Sequence, residues 1–286
     1  MGKTKKKKQV KIKKENCSPT RKRKFTCFSD NSLHIMKKYW NVRHPDMKIL
    51  SNDSRVIWNE LRQNIGNICD RESCWLRQKF IKNNLNSELK MYTFAPKAPN
   101  EWKENINTWL TSVDIEKVMK QYEKKYKNFE FIGPSPIDFD HRKIYGECVW
   151  EELCNFQLKE CLKRGKKKIG IIFNLDPHYK EGSHWVAMFI DVDKKFIFYF
   201  DSTSDKEPRE IKKLIKKIIL QGKEMGIIFN EPIINDVEHQ MEDTECGIYT
   251  LYFIINLIKN KPYKEFLGKK ISDKEMENLR KVYFNI

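Results

Sequence analysis

The sequence predicts an α+β fold: a mainly helical first part, then a part in which one buried helix packs against a mixed sheet. Three observations carry this expectation. Segments within residues 31–126 space their apolar side chains three and four apart, as amphipathic helices do. From residue 168 the texture changes to short β-branched and aromatic runs, KIGIIFNL, HWVAMFIDV and KKFIFYFD, which read as strands. Residues 248–258, IYTLYFIINLI, are apolar on nearly every face, so they suit a helix sequestered in a core.

Residues 1–24, MGKTKKKKQVKIKKENCSPTRKRK, hold twelve Lys and Arg against Glu15 alone, a net +11, which leaves +6 of the chain's +17 for all the rest. So dense a charge repels itself and has little to bury, which predicts a disordered polybasic tail. Its lysines and arginines, Lys5, Lys6, Lys7, Lys8, Arg21, Lys22, Arg23 and Lys24, suit a polyanion such as nucleic acid, and the run also reads as a nuclear address.

A mainly helical domain is expected over residues 25–130. NSLHIMKKYWNVRH (31–44) and DSRVIWNELRQNIGN (53–67) each follow an Asn or Asp cap, and CDRESCWLRQKFI (69–81) continues in the same style. TFAPKAPNEW reads as a turn or extended linker, VDIEKVMKQYEKKY as a helix and GPSPIDFD as a loop. CVWEELCNFQLKECLKRG (148–165) reads as one helix. After the three strands come a helix with a basic outer face over 207–226, a further strand over IIFNEPII and the apolar helix, all in a second domain placed at 131–286. Trp40, Trp58, Trp75, Trp102, Trp109 and Trp150 are expected in cores or between domains.

No apolar run is long enough to span a bilayer, and no hydrophobic signal core follows the first lysines. The eight cysteines lack the dense even spacing of a disulfide scaffold and are expected as reduced thiols. Cys69 and Cys74 beside His34 or His44 lack the second matching pair of a zinc site, so no metal is expected. Asp138 and Asp140 are read as loop-capping residues.

One thiol stands apart. In HQMEDTECGIYTLYFIINLI, Thr244 is a reasonable N-cap, and Cys246 falls in the first turn of the helix it starts. Unpaired N–H groups and the helix dipole favour a negative sulfur there, on a rigid mount. A base is available in His184, at the start of a strand. If the turn to the next strand holds two residues, Val192 faces Lys195 and Val186 faces Asp201. His184 and Asp201 then lie diagonally on one face of the hairpin, placed as a base and its orienting carboxylate. Gln240, six residues before Cys246, supplies an amide donor that, with the Cys246 N–H, suits an oxyanion. Taken singly, each has a bland alternative: a small buried cysteine, a strand-end histidine, a turn aspartate, a solvated glutamine.

Together, His184-Trp185, Asp201, Gln240 and Cys246-Gly247 stand in an order and spacing that resembles the papain-fold clan of cysteine proteases containing the SUMO-specific and adenovirus proteases. Within it, HWVAMFIDV, HQMEDTECG and ISDKEMENLRKVYF look like the proteases of large nucleocytoplasmic DNA viruses, such as the African swine fever virus polyprotein protease. CWLRQKFI, TFAPKAPNEW, FIGPSPIDFD and CVWEELCNF are similar to giant-virus members, so the likeness covers all but the basic tail.

The resemblance implies a papain-like core in which His184 is the general base, Asp201 its partner, Cys246 the nucleophile and Gln240 the oxyanion donor. Trp185 would wall a channel for a glycine-rich substrate. It also implies a viral endopeptidase that cleaves structural or core polyproteins at Gly-Gly-X-like sites, needs no cofactor and acts in the virion and the cytoplasmic viral factory. Residues before Phe131 are expected to have no counterpart in the SUMO-protease core. Two other readings stay open: an isopeptidase that removes a ubiquitin-like modifier, and an inactive protease-like scaffold that binds nucleic acid.

Overall fold

The computed structural model describes residues 10–82 and 87–286. The chain divides into two compact units, Met1–Lys97 with Asn285, and Ala98–Phe284 with Ile286. The boundary expected at 130/131 therefore moves to 97/98. The helix over VDIEKVMKQYEKKY belongs with the sheet, because its apolar face packs there.

The first unit holds α1 (Asp30–Arg43), α2 (Ser54–Ile65), α3 (Glu72–Trp75), α4 (Lys79–Lys82) and α5 (Ser87–Tyr92). Ser29 and Asp53 cap α1 and α2, their side-chain oxygens accepting from Ser32 N at 3.1 Å and Val56 N at 2.9 Å. Leu33, Met36, Trp40, Ile57, Leu61 and Trp75 form its core.

Disorder over 1–24 does not hold for residues 10–24. Glu15 is buried and accepts from Ser73 N at 2.8 Å, and Lys13 N donates to Asp70 O at 2.7 Å. Acids of the folded unit thus offset part of the cation repulsion that sequence composition weighs alone. Lys5, Lys6, Lys7 and Lys8 lie outside the described residues. The reduced-thiol expectation also fails, since Cys17–Cys27, Cys69–Cys74 and Cys148–Cys154 are disulfides, with Cα atoms 5.3, 5.5 and 6.3 Å apart. Local folding brings each pair within the span a disulfide bridges. Cys161 and Cys246 are free.

The second unit opens with a 3-10 turn at Asn100–Lys103, then α6 (Ser112–Lys125), β1 (Phe129–Pro136), α7 (Glu151–Cys154), α8 (Leu158–Lys163), β2 (Lys168–Asn174), β3 (Trp185–Asp191), β4 (Phe196–Phe200), α9 (Arg209–Glu224), β5 (Ile233–Ile234), α10 (Cys246–Ile258), α11 (Glu265–Gly268) and α12 (Asp273–Tyr283). The strands form one mixed sheet in the order β1-β2-β3-β4-β5, with β1/β2 and β4/β5 parallel and the inner pairs antiparallel.

GPSPIDFD is therefore not all loop. β1 carries Pro134 and Pro136 because it is an edge strand, and the register shifts between Ile132 and Ser135 around Pro134. The helix expected over 148–165 breaks into α7 and α8, with Phe156 between them turned into the core.

Strand alternation sorts the core into two layers. Trp185, Ala187 and Phe189 face α10, packed also by α6 and α12, while Val186, Met188 and Ile190 face α9 and α8. A Cβ on Gly170 would lie 2.9 Å from Ile254 Cγ2, so glycine there lets α10 approach the sheet. Lys168, buried at the start of β2, donates to Leu257 O at 3.2 Å, Ile258 O at 3.1 Å and Asn260 Oδ1 at 2.6 Å, closing the C-terminal end of α10.

Candidate active site

Cys246 is the first residue of α10 and only 1% exposed. Glu245, not Thr244, takes the N-cap position, and its side chain makes no capping bond. That carboxylate is turned away to Arg280. Arg280 Nε donates to Glu245 Oε1 and Oε2 at 2.9 Å each, and its Nη atoms donate to Thr108 O at 2.8 Å and Thr244 O at 2.9 Å. The helix tip that carries Cys246 is thereby tied to α12 and to the segment before α6.

The hairpin register comes out as the two-residue turn requires, with Ala187 opposite Phe200 and Met188 opposite Tyr199. His184 stands just before β3 and Asp201 just after β4, and His184 Nε2 meets Asp201 Oδ1 at 2.7 Å. Thr203 N and Oγ1 donate to the same oxygen at 3.0 and 2.8 Å, and Asn235 Nδ2 donates to Asp201 O at 2.6 Å. Cys246 also acts on the same imidazole, favouring its charged form. With Nε2 committed to Asp201, Nδ1 is left for the sulfur.

Burial of the His184 ring works against its charge. The hydrogen bonds to Asp201 and Cys246, and the negative charge of both, outweigh burial and push the imidazole up to about 10. The ring is thus held as imidazolium at neutral pH, beside a sulfur at a helix N-terminus.

Gln240 is buried beside this assembly. Its Oε1 accepts from Ser202 Oγ at 2.7 Å, its N–H donates to Ser202 O at 2.9 Å, and Nε2 donates to Glu242 O. The amide is oriented, and one Nε2 hydrogen serves Glu242 while a second remains.

Trp185 packs with its Nε1 donating to Leu110 O at 3.0 Å. A Cβ on Gly247 would lie 3.1 Å from Leu110 Cβ and 3.4 Å from Trp185 Cδ1, so Leu110, Trp185 and Gly247 form one tight wall next to the thiol. Trp109, expected in a core, is 44% exposed and stands in the chain between Thr108 and Leu110, both anchored by their carbonyls. Sequence reasoning missed Leu110, Trp109, Thr203, Asn235, Glu245 and Arg280. The one available signal was an acidic residue directly before the thiol and an arginine on the amphipathic terminal helix.

Of the expected polyanion residues, Lys22, Arg23 and Lys24 are exposed on the first unit, and Arg21 Nε donates to Tyr92 O at 3.4 Å. None of the described helices is long and apolar enough to cross a membrane.

Comparison with known proteins gives the chain's family. The model of the Ulp1 protease family, C-terminal catalytic domain, matches residues 79–285. That span includes residues 98–130, so the expectation that nothing before Phe131 has a counterpart is corrected, and the α6 region belongs to the shared domain. A chain assigned as a thiol protease in Acanthamoeba polyphaga mimivirus is 28% identical over 292 residues, covering 94% of this chain and 92% of the relative. A SUMO-1 cysteine protease of African swine fever virus is 29% identical over 238 residues, 76% of this chain and 84% of the relative. The crystal structure of an African swine fever virus protease superposes with a TM-score of 0.66 at 20% identity, over 97% of this chain and 98% of that one, which shows the shared fold. The chain belongs to the Ulp1 protease family and is a cysteine-type peptide hydrolase.

Proposed function

We propose that Cys246, His184 and Asp201 act as nucleophile, acid–base and orienter in an endopeptidase that cuts viral structural or core polyproteins at glycine-rich sites. The carrying observation is the 2.7 Å bond between His184 Nε2 and Asp201 Oδ1, which leaves Nδ1 of an imidazole that also interacts with Cys246. The thiolate attacks the scissile carbonyl carbon, and the oxyanion is met by the Cys246 N–H and the second Gln240 Nε2 hydrogen. The C–N bond breaks as His184 gives its proton to the leaving amine, leaving a thioester. Water, losing a proton to His184, then attacks the thioester and frees the new carboxylate and the sulfur. No cofactor enters these steps.

Glycine specificity is supported by the wall of Trp185 and Leu110 against Gly247, which leaves little room for side chains beside the thiol. The basic N-terminal segment engages nucleic acid, and the enzyme works in the virion and the cytoplasmic viral factory, a reading supported by the segment's charge and the viral relatives.

The test compares Gly-Gly-X peptides with SUMO and ubiquitin fusions, alongside labelling by an active-site-directed thiol reagent. Expected are preferential cleavage of the peptides, selective labelling of Cys246 and loss of both in His184→Ala. Preference for the fusions would make the chain a deconjugating enzyme, and no cleavage with equal labelling of Cys161 and Cys246 would leave an inactive scaffold.

A further inference from the structure

We propose that the first unit binds the phosphate backbone of a single nucleic-acid strand in a cation-lined cavity between the N-terminal segment and α2. The proposal rests on, and deepens, the nucleic-acid reading of the basic segment. Residues 10–14, expected to trail free in solvent, instead form one wall of a cavity of about 510 Å³. That volume lies in the range of clefts that hold a nucleotide-sized group.

Lys11, Lys13, Lys14, Arg23 and Arg62 line the cavity. Among the described residues Lys13 is paired, with Asp70 at 2.7 Å, whereas Lys11, Lys14, Arg23 and Arg62 form no ion pair. The acid in the lining is Glu72, which is buried and accepts from Trp58 Nε1. Burial pushes its carboxyl up, against its bonds to Thr26 and Trp58, which weakens its hold as a counter-charge.

Arg62 is held by more than charge. Arg62 Nε is buried without a hydrogen-bond partner among the described residues, so this guanidinium has donor capacity that the fold leaves unused beside the cavity it lines. Its guanidinium is fixed over the Trp58 ring at 4.9 Å, and Arg55 lies over Phe25 at 5.0 Å, so the aromatic walls hold cations in place.

Charge excludes the chain's own N-terminus as occupant, because the preceding residues include Lys3 and Lys5 to Lys8. The lining suits an anion. A concave basic site with aromatic walls is how proteins track a single strand, phosphates on the cations and bases near the rings. A lipid surface, by contrast, is met by an exposed face.

The test measures binding of a short fluorescent single-stranded oligonucleotide to the full chain across a salt series, with vesicles of anionic lipid as a second arm. Lys11→Glu/Lys14→Glu and Arg62→Gln are compared with the wild type and with a Lys5–Lys8→Gln variant, and melting temperature checks each fold. Arg62→Gln should weaken binding about tenfold, and each phosphate contact removed should flatten the salt slope by about one. The exposed lysine pair answers the question even if Arg62→Gln fails to fold. Full binding in the cavity variants, with loss in Lys5–Lys8→Gln, overturns the cavity and leaves the tail reading standing. Binding to vesicles but not to the oligonucleotide overturns the ligand, and no binding to either overturns both readings.

Discussion

Arg280 and Glu245, 35 residues apart in sequence, meet as a buried ion pair with the arginine 0% and the glutamate 1% exposed. The guanidinium also stacks over Trp102 at 4.8 Å and holds the carbonyls of Thr108 and Thr244. One side chain thus joins α12, the wall segment before α6 and the peptide preceding Cys246. Removing one partner leaves a charge without compensation in the core. Arg280→Met should cost about 3–5 kcal/mol in urea unfolding. The double variant Glu245→Leu/Arg280→Met should recover much of that stability, yet show lowered kcat at unchanged KM, because the helix tip loses its anchor.

The acid–base role proposed for His184 implies an alkaline limit of activity. Its pKa is raised, so the stabilisation from its charged form is fully present below the ordinary imidazole value of about 6.5 and is lost as pH rises through about 10. The same ionisation removes the proton needed by the leaving amine. The kcat/KM profile should therefore fall on an alkaline limb near pH 10, and Asp201→Asn should move that limb toward neutral pH while lowering kcat.

Gly247 is held to glycine by packing. A methyl group 3.1 Å from Leu110 Cβ forces the wall to shift. Gly247→Ala should destabilise by about 1–3 kcal/mol and reduce kcat/KM more than melting temperature alone explains. Trp109→Ala, an exposed change, should raise KM for Gly-Gly-X peptides with melting temperature nearly unchanged.

Lys168 secures the opposite end of the catalytic helix. Burial pulls its ammonium down, toward the neutral form, while Asp191 opposes this. Lys168→Met takes a donor from three acceptors, of which Leu257 O keeps Asn260 N at 3.0 Å, and should cost about 2–3 kcal/mol in equilibrium unfolding.

His239, beside Gln240, is buried and neutral. Ile271 N donates to its Nδ1 at 3.1 Å and its Nε2 meets Phe266 O at 3.1 Å, which fixes the tautomer. Burial lowers its pKa, so its contribution to stability is present above about pH 6.5 and is lost as pH falls below that value. Unfolding free energy should drop from pH 7 to pH 5 in the wild type and less steeply in His239→Gln.

What the residues alone determined was the part written in short-range pattern. Short β-branched and aromatic runs named β2, β3 and β4, and a two-residue turn placed Asp201 diagonally from His184. An unbroken apolar run marked α10 as buried, with Cys246 at its tip. These follow from geometry that repeats within a few residues, so neighbours along the chain are enough. Only the tertiary structure decided that residues 10–24 fold onto the first unit, that six cysteines pair and that α6 belongs with the sheet. It alone brought Arg280 to Glu245 and Leu110 to Gly247. Such contacts join segments whose separation along the chain carries no period. They exist because burial leaves each charge and each gap one partner to close on, and that partner is defined only once the core has formed.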